Sequence, residues 1–290
     1  MRILSAKYGD QDITNLLNTR LINDSLLLSV NNDICGDPNP GVVKQLHVTW
    51  EYEGTIDNDS WKEGTICSIP KSRNTKLGIF YTNNHERKTF ATIDKSLAEI
   101  KRAANGKADI FTCVWNRIPS NPFPEVLSWY KQSAHLTQVL QILQLLYTAN
   151  ELGRYIYVSF LEHDCLYGEG CFDYPEFDEG TVLCNMNYMG LCINGWQQRN
   201  QDDKPFSQIT MRLTDAIKHF EHILPNAIVR NSGLVEPQIY ITEWRSIVPT
   251  IHVNHGFHFT SHYSIYKREN PSKDIPYWGQ STNYQYLFMQ

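Results

Sequence analysis

The sequence predicts an α/β fold preceded by a small, β-sandwich-like domain, and two observations support this prediction. In residues 1–70, apolar and polar residues alternate in short segments separated by turn sequences such as GDPNPG and DNDS, which is typical of antiparallel strands. After residue 76, continuous apolar segments alternate with amphipathic ones, which is typical of a parallel sheet covered by helices. The polar segment 71–76 is the predicted boundary, giving domains 1–70 and 76–290.

The N-terminal domain is predicted to be an antiparallel sheet with one buried face. Its three β-rich segments are LLLSV (26–30), VVKQLHVTWEYEG (42–54) and GTICSIP (64–70). In the second segment, Leu46, Val48 and Trp50 fall on the same face of an extended chain, as expected for a sheet that covers a core on one side. The stretches AKYGD, DIT and GDPNPGVVKQLHVTW resemble the small β domain at the C-terminus of a DnaJ-related mitochondrial protein. This resemblance implies a fold and no function.

Three strands and two helices are predicted in the first half of the α/β domain. The strands are LGIFYT (77–82), ADIFTCVW (108–115) and YIYVSF (155–160), and the helices are 94–104 and 135–153. Because parallel strands point their carboxyl ends to the same edge of the sheet, ligands bind beyond that edge. The residues that follow or end these strands are Thr82-Asn83-Asn84, Trp115-Asn116-Arg117 and Glu162-His163-Asp164.

Composition and charge restrict the classes of function. Hydrophobic residues make up 41% and charged residues 20%, as in a globular protein and unlike a disordered one. A net charge of -5 excludes a protein that holds nucleic acid through overall positive charge alone. The seven cysteines include no C-x-x-C pair, so we expect free thiols in a reducing compartment. The sequence has neither an apolar signal-peptide core nor the about 20 apolar residues of a membrane span, so we expect a cytoplasmic protein.

The pair of acids at the third strand end, Glu162 and Asp164, is the main candidate for chemistry. Divalent cations such as Mg²⁺ prefer carboxylate oxygens and combine readily with phosphate oxygens. One carboxylate at a strand end could hold a metal ion while the other reaches a ribose hydroxyl, as a bound nucleoside diphosphate requires. The alternative interpretation is a polar strand end that leads into a turn, because acids are common at turns.

Several motifs together resemble a group of glycosyltransferases with the GT-A architecture, many of them from bacteriophages and environmental sequences. The motifs are EHDCLYGEGCFDY (162–174), GTVLCNMNYMGL (180–191), QIL (141–143), IHVNHGFHFT (251–260) and PYWG (276–279). The resemblance implies a nucleotide-sugar donor, UDP-linked in the first instance, and a Mn²⁺ or Mg²⁺ cofactor. It also implies a host-cytoplasmic location if the protein is phage-encoded. No membrane partner is expected.

Site residues follow from this resemblance and from the strand ends. The predicted metal ligands are Asp164 and His255, with Glu162 on the metal or the ribose. The predicted nucleotide contacts are Thr82, Asn83, Asn84, Gln141, Glu162 and Asp164, although a simple turn explains the two asparagines equally well. The predicted acceptor or sugar contacts are Asn187, Trp196 and His258, and core packing is an equal alternative for Trp196.

The late histidines depart from the family pattern. Asn is usual at His258, and Asp and Arg are common at His252 and Asn254, which puts contacts to the sugar or the phosphate in doubt. On an extended strand, His252 and His258 share a face while His255 points away. We therefore rank His255 as a single third ligand first, an ordinary polar loop second and a zinc site of all three histidines third. A mixed carboxylate and imidazole site suits Mn²⁺ better than Mg²⁺.

The catalytic base and the acceptor stay open at this point. Inverting transfer needs a carboxylate to take the acceptor proton, and Asp202, Asp203 and Glu243 are the candidates, whereas a retaining mechanism needs no such base. The acceptor could be a hydroxymethylated DNA base, a glycan or a small molecule. Two rival functions are a non-catalytic nucleotide-sugar-binding or scaffold protein and a metal hydrolase built on the late histidines. The hydrolase lacks a second carboxylate-rich cluster, and the presence of both Glu162 and Asp164 argues against the scaffold.

Overall fold

The computed structural model of the protein describes most of the chain. The described residues are 1–21, 24–69, 74–82, 90–114, 118–127, 134–192, 195–198, 204–230, 240–253 and 272–288.

The N-terminal part forms an antiparallel sheet over its own core, as the alternating sequence predicts. Its elements are β1 (Arg2–Tyr8), β2 (Gln11–Asp12), α1 (Thr14–Thr19), β3 (Leu26–Ser29), β4 (Gln45–Tyr52), β5 (Thr55–Lys62) and β6 (Ile66–Ile69). The strand order in the main sheet is β2-β1-β4-β5. Leu46, Val48 and Trp50 are all buried against this core, which confirms the predicted buried face of β4.

Strands β3 and β6 form a separate two-stranded sheet that contacts the rest of the protein. Leu27 on β3 packs against the core that contains the α/β residues. On β6, the Ser68 hydroxyl accepts a hydrogen bond from the Arg154 guanidinium at 3.4 Å. The N-terminal core and the α/β core therefore meet at β3 and β6.

The predicted domain boundary, 71–76, lies partly outside the described residues and stays a prediction. Limited proteolysis is expected to cut first within 71–76, because a polar linker offers an extended backbone to a protease more readily than packed strands do. Mass spectrometry of the first products identifies the cut. A first cut within 77–160 would contradict this boundary.

The remaining elements build a mixed sheet of seven strands, a smaller sheet of four, a two-stranded sheet of β18 and β19, and three helices. They are β7 (Lys76–Tyr81), α2 (Phe90–Ala104), β8 (Asp109–Val114), β9 (Glu125–Leu127), α3 (Ala134–Leu152), β10 (Tyr157–Glu162), β11 (Cys165–Leu166), β12 (Thr181–Asn185), β13 (Tyr188–Cys192), β14 (Gly195–Gln198), β15 (Ile209–Arg212), α4 (Leu213–Arg230), β16 (Tyr240–Trp244), β17 (Thr250–Val253), β18 (Asp274–Ile275) and β19 (Gly279–Gln280). Short 3₁₀ turns lie at Asn32–Ile34, Phe206–Gln208 and Ser281–Phe288.

The seven-stranded sheet has the order β16-β12-β15-β10-β7-β8-β9. Strands β7, β8 and β10 are parallel neighbours, as predicted. The predicted parallel strands are part of a mixed sheet, because β15 lies antiparallel between β10 and β12. All other strands of this sheet point the same way. The protein is therefore an α/β protein with a large mixed sheet, which is compatible with a Rossmann-like domain.

Helices cover both faces of this sheet. Helices α3 and α4 pack on one face over Ile79, Phe160 and neighbouring strand residues, and α2 packs on the other face over Phe80 and Leu161. On the α2 face, Gly78 leaves no room for a side chain, because an added Cβ would lie 2.6 Å from Cδ1 of Ile110. Among the described residues, no helix has both the length and the apolar composition needed to cross a membrane.

The smaller sheet has the order β11-β17-β13-β14 and stands beside the carboxyl edge of the large one. Strand β11 begins three residues after β10 ends, so the turn at His163 and Asp164 connects the two sheets. Strand β17 pairs antiparallel with β11 and parallel with β13. This arrangement brings the late segment of the chain, around His252, to the end of β10.

Candidate functional site

The carboxyl edge of the large sheet gathers the predicted strand-end residues. Glu162, the last residue of β10, lies in register with Tyr81, the last residue of β7. Thr82, which follows Tyr81, is therefore a close neighbour of the β10 end. This is the edge at which ligands bind in open α/β sheets, and the structure thus brings together Thr82 and Glu162, two of the predicted residues.

Asp164, Cys165 and His252 form a compact set of groups that could bind a metal, called here the ligand cluster. Nε2 of His252 lies 3.2 Å from Oδ2 of Asp164, and Sγ of Cys165 lies 3.8 Å from Oδ1 of Asp164. The three ligand atoms all lie within 4.8 Å of one another. Carboxylate, thiolate and imidazole are the three side-chain groups that bind zinc in proteins, so the cluster has the chemistry of a metal site.

Backbone pairing fixes this geometry. Cys165 on β11 is the register partner of His252 on β17, and the amide of Val253 donates to the Asp164 carbonyl at 2.8 Å. A packed glycine holds the same two chain segments close, because an added Cβ on Gly168 would lie 2.4 Å from Cγ1 of Val248. The cluster is therefore held by paired strands and does not depend on long, flexible side chains.

Two buried tyrosines line the end of β10. Burial raises the pKa of the Tyr81 phenol well above its usual value, and the charges of Glu162, Cys165 and Asp164 raise this pKa further. The Tyr81 hydroxyl is buried and has no hydrogen-bond partner among the described residues. The Tyr167 hydroxyl accepts from the Glu162 amide at 2.7 Å and donates to the Ser207 carbonyl at 3.2 Å. Tyr167 thus fixes the backbone of Glu162, while Tyr81 keeps a neutral phenol beside the acids.

Gln141 and Thr82, both predicted as nucleotide contacts, touch each other. Oε1 of Gln141 accepts a hydrogen bond from the Thr82 amide at 3.1 Å, and both side chains are fully buried. Nε2 of Gln141 is buried without a partner among the described residues, and such an atom in a folded protein calls for an explanation. Through this contact, Gln141 positions the end of β7. Its Nε2 amide group is a donor that lies next to the same strand end.

Glu162 is not one of the ligand atoms in the cluster. Side chains alternate along a strand, so Glu162 shares a face with Phe160, which packs toward α3 and α4. Asp164 lies beyond the strand, in the turn to β11. Among the described residues, the close group contains Asp164 and not Glu162. The two roles predicted for Glu162, on the metal or on the ribose, stay predictions.

Glu243 is separated from this site. It lies on the edge strand β16, and two strands stand between β16 and β10. At about 4.8 Å per strand spacing, the backbones are about 14 Å apart. The side chain is 53% exposed and forms an ion pair with Lys204 at 3.1 Å. The structure therefore does not bring Glu243 together with Asp164, and the prediction of Glu243 as the base loses support.

Two of the three predicted acceptor contacts, Trp196 and Asn187, lie among the described residues, and both make structural contacts within the protein. The structure favours the packing alternative for Trp196, which is 1% exposed and donates through its indole N–H to the Gly279 carbonyl at 2.8 Å. The Asn187 side-chain amide donates to the Ser246 carbonyl at 2.8 Å, so it holds the loop before β17. Six other predicted site residues lie outside the described residues: Asn83, Asn84, Asp202, Asp203, His255 and His258.

Cys165 and Tyr81 were not predicted as site residues from the sequence, and His252 was ranked below His255 as a metal ligand. The signal for His252 was present, because it is the only titratable residue in the short strand β17, which reads TIHV. The signal for Cys165 was its position directly after Asp164. Neither signal identifies a partner, because the pairing of β11 with β17 joins residues far apart in the sequence.

A scan against protein-family models and a search of curated proteins found no match to this chain.

Proposed function

We propose that the protein is a metal-dependent glycosyltransferase that moves a sugar from a nucleoside diphosphate sugar, UDP-linked in the first instance, to an acceptor hydroxyl. One observation carries the proposal: Asp164 and His252 stand 3.2 Å apart beside the carboxyl end of a central parallel strand. That edge is where nucleotides bind in related architectures. Glu162 and Thr82 at the same edge supply groups for the ribose and for the nucleotide.

The residues present fit a divalent cation. Asp164 offers a carboxylate and His252 an imidazole, each with 18% of the side chain exposed, so both can be reached from solvent. A bound Mn²⁺ or Mg²⁺ would stabilise the negative charge that develops on the leaving diphosphate. The imidazole ligand favours Mn²⁺ over Mg²⁺.

Side chains of the protein would carry out the remaining steps, which are orientation of the donor and removal of the acceptor proton. Glu162, held at its backbone by Tyr167, would bind the ribose hydroxyls and orient the donor. In transfer with inversion, the acceptor oxygen bonds to the anomeric carbon while the bond to the diphosphate breaks, and the acceptor proton passes to a carboxylate. Asp202 and Asp203 remain the proposed bases, because Glu243 stands apart and is paired with Lys204.

The proposed acceptors are a hydroxymethylated DNA base, a glycan and a small molecule, and the proposed location is the cytoplasm. The net charge of -5 makes a DNA acceptor dependent on a local basic strip, since phosphate contacts supply much of the affinity for DNA. Transfer to DNA should then fall steeply with salt concentration. Transfer that is insensitive to salt would favour the small acceptor.

Incubation with a panel of UDP- and GDP-sugars and Mn²⁺ tests the proposal, with release of the nucleoside diphosphate as the readout. We expect release from one donor that stops when EDTA removes the ion. Binding of a nucleotide without release or transfer, with acceptors supplied, would support the non-catalytic alternative. Absence of both binding and release across the panel would exclude the transferase.

A further inference from the structure

We propose that Asp164, Cys165 and His252 form a three-ligand site selective for a zinc-type cation, in which the Cys165 thiolate is the selective ligand. Sulfur ligands favour Zn²⁺ and Co²⁺ over Mg²⁺, which prefers oxygen. The inference rests on the proposed function only in sharing Asp164, and it does not require sugar transfer. It changes the expected ion from a hard cation to a softer one.

The distances fit tetrahedral coordination. With bonds of about 2.0 Å to oxygen and nitrogen and about 2.3 Å to sulfur, a tetrahedral zinc ion holds its ligand atoms about 3.3–3.6 Å apart. The two Asp164 oxygens lie near these separations, with Oδ2 3.2 Å from Nε2 of His252 and Oδ1 3.8 Å from Sγ of Cys165. The three ligand atoms all lie within 4.8 Å of one another, so binding of one ion would require them to move closer together.

Burial gives the site a closed side and an open side. Cys165 is fully buried, whereas Asp164 and His252 each keep 18% of their side-chain surface exposed. A metal ion can therefore pass the Asp164 carboxylate and the His252 imidazole from solvent and reach the buried Cys165 sulfur. On binding, the thiol proton leaves to solvent as the thiolate forms.

Among the described residues the cluster offers three protein ligands, which would leave one tetrahedral position open. That pattern is typical of zinc sites that also bind water or substrate, whereas structural zinc sites have four protein ligands. A phosphate oxygen is the ligand that a nucleotide would supply at this sheet edge. A six-coordinate Mg²⁺ site needs more oxygen ligands, and among the described residues the cluster provides one carboxylate.

A second observation points to the same place. The Tyr81 hydroxyl is fully buried and lacks a hydrogen-bond partner among the described residues. Tyr81 is the register partner of Glu162, two residues before Asp164, and the charges of Cys165 and Asp164 act on its phenol. Donors that support metal ligands are a regular part of metal sites, and the Tyr81 hydroxyl can serve as that donor once a carboxylate and a thiolate surround an ion.

Cobalt substitution tests the inference with a readout that does not depend on activity. The full chain, stripped of metal, is titrated with Co²⁺, and we expect a thiolate-to-cobalt charge-transfer band in the near ultraviolet. Cys165→Ser should abolish this band and weaken Zn²⁺ binding by at least about 10-fold. The control is Cys35→Ser, which removes a partly exposed thiol of the N-terminal part and should change neither.

X-ray absorption spectroscopy of zinc bound to the unmodified protein is a second test, and it does not require Cys165→Ser to fold. One sulfur at about 2.3 Å from zinc is expected. A shell of oxygen and nitrogen alone, equal Zn²⁺ affinity in Cys165→Ser and the unmodified protein, or no ion bound would each overturn the inference. Donor turnover without a thiolate band would overturn it and leave the transferase standing. A band that depends on Cys165, without any donor turnover, would support it and count against the transferase.

Discussion

Replacing Asp164 by asparagine is expected to lower the affinity for Mn²⁺, and for nucleotide in the presence of Mn²⁺, by more than about 100-fold. Changes in residues that only orient a metal ligand lower affinity about 10–100-fold, and Asp164 supplies the only carboxylate of the ligand cluster among the described residues. Asparagine keeps the shape of the side chain, so the melting temperature should change little. Isothermal titration calorimetry measures the affinity and thermal unfolding checks the fold.

The matched control is Asp173→Asn, which makes the same chemical change at a half-exposed carboxylate paired with Lys107. Its ion affinity should equal that of the unmodified protein. The predicted effect of His255→Ala is smaller than that of Asp164→Asn, because water or a phosphate oxygen can replace one neutral ligand. If Asp164→Asn binds Mn²⁺ as tightly as the unmodified protein does, Asp164 is not a ligand of the ion.

Replacing Phe160 by alanine is expected to lower the free energy of unfolding by about 3–5 kcal/mol. Phe160 is fully buried on β10, and its ring centroid lies 4.6 Å from that of Phe206 and 5.3 Å from that of Phe220. Removal of the ring leaves a cavity between the large sheet and α4 that these neighbours can fill only in part. Urea unfolding, followed by circular dichroism, measures the change.

Ile228→Ala serves as the control for this loss. Ile228 is 60% exposed on α4, and surface substitutions of this kind change stability by about 0.5 kcal/mol or less. If Phe160→Ala lowers the free energy of unfolding as little as the control does, the packing between β10 and α4 contributes little to stability.

The strands and helices with the most regular sequences were predictable. Continuous apolar runs predicted β7, β8 and β10, and the structure places all three as parallel neighbours. Alternation predicted the buried face of β4. Helix α3 ends at Leu152, just before Gly153, whose φ of 66° suits the glycine that commonly follows a helix end. These features depend on local periodicity, and local periodicity can be read from the sequence.

The features that were not predicted depend on long-range pairing. Strand β15 has only four residues, too few to show a period or to reveal that it would insert antiparallel into a parallel sheet. The contact of Asp164 with His252 exists because β11 pairs with β17, and nothing near either residue specifies that partner. The sequence left packing and a sugar contact as equal alternatives for Trp196, because its partner, the Gly279 carbonyl, comes from a distant part of the chain.

The position of β15 also sets the order in which the large sheet can be completed. Strands β10 and β12 precede β15 in the chain, yet β15 separates them in the sheet. During synthesis from the N-terminus, both strands leave the ribosome before the strand that joins them. Until Ile209–Arg212 arrives, each presents an open edge, and open edges pair readily with other chains. The nascent protein is therefore exposed in this interval to pairing of β10 or β12 with strands of other chains.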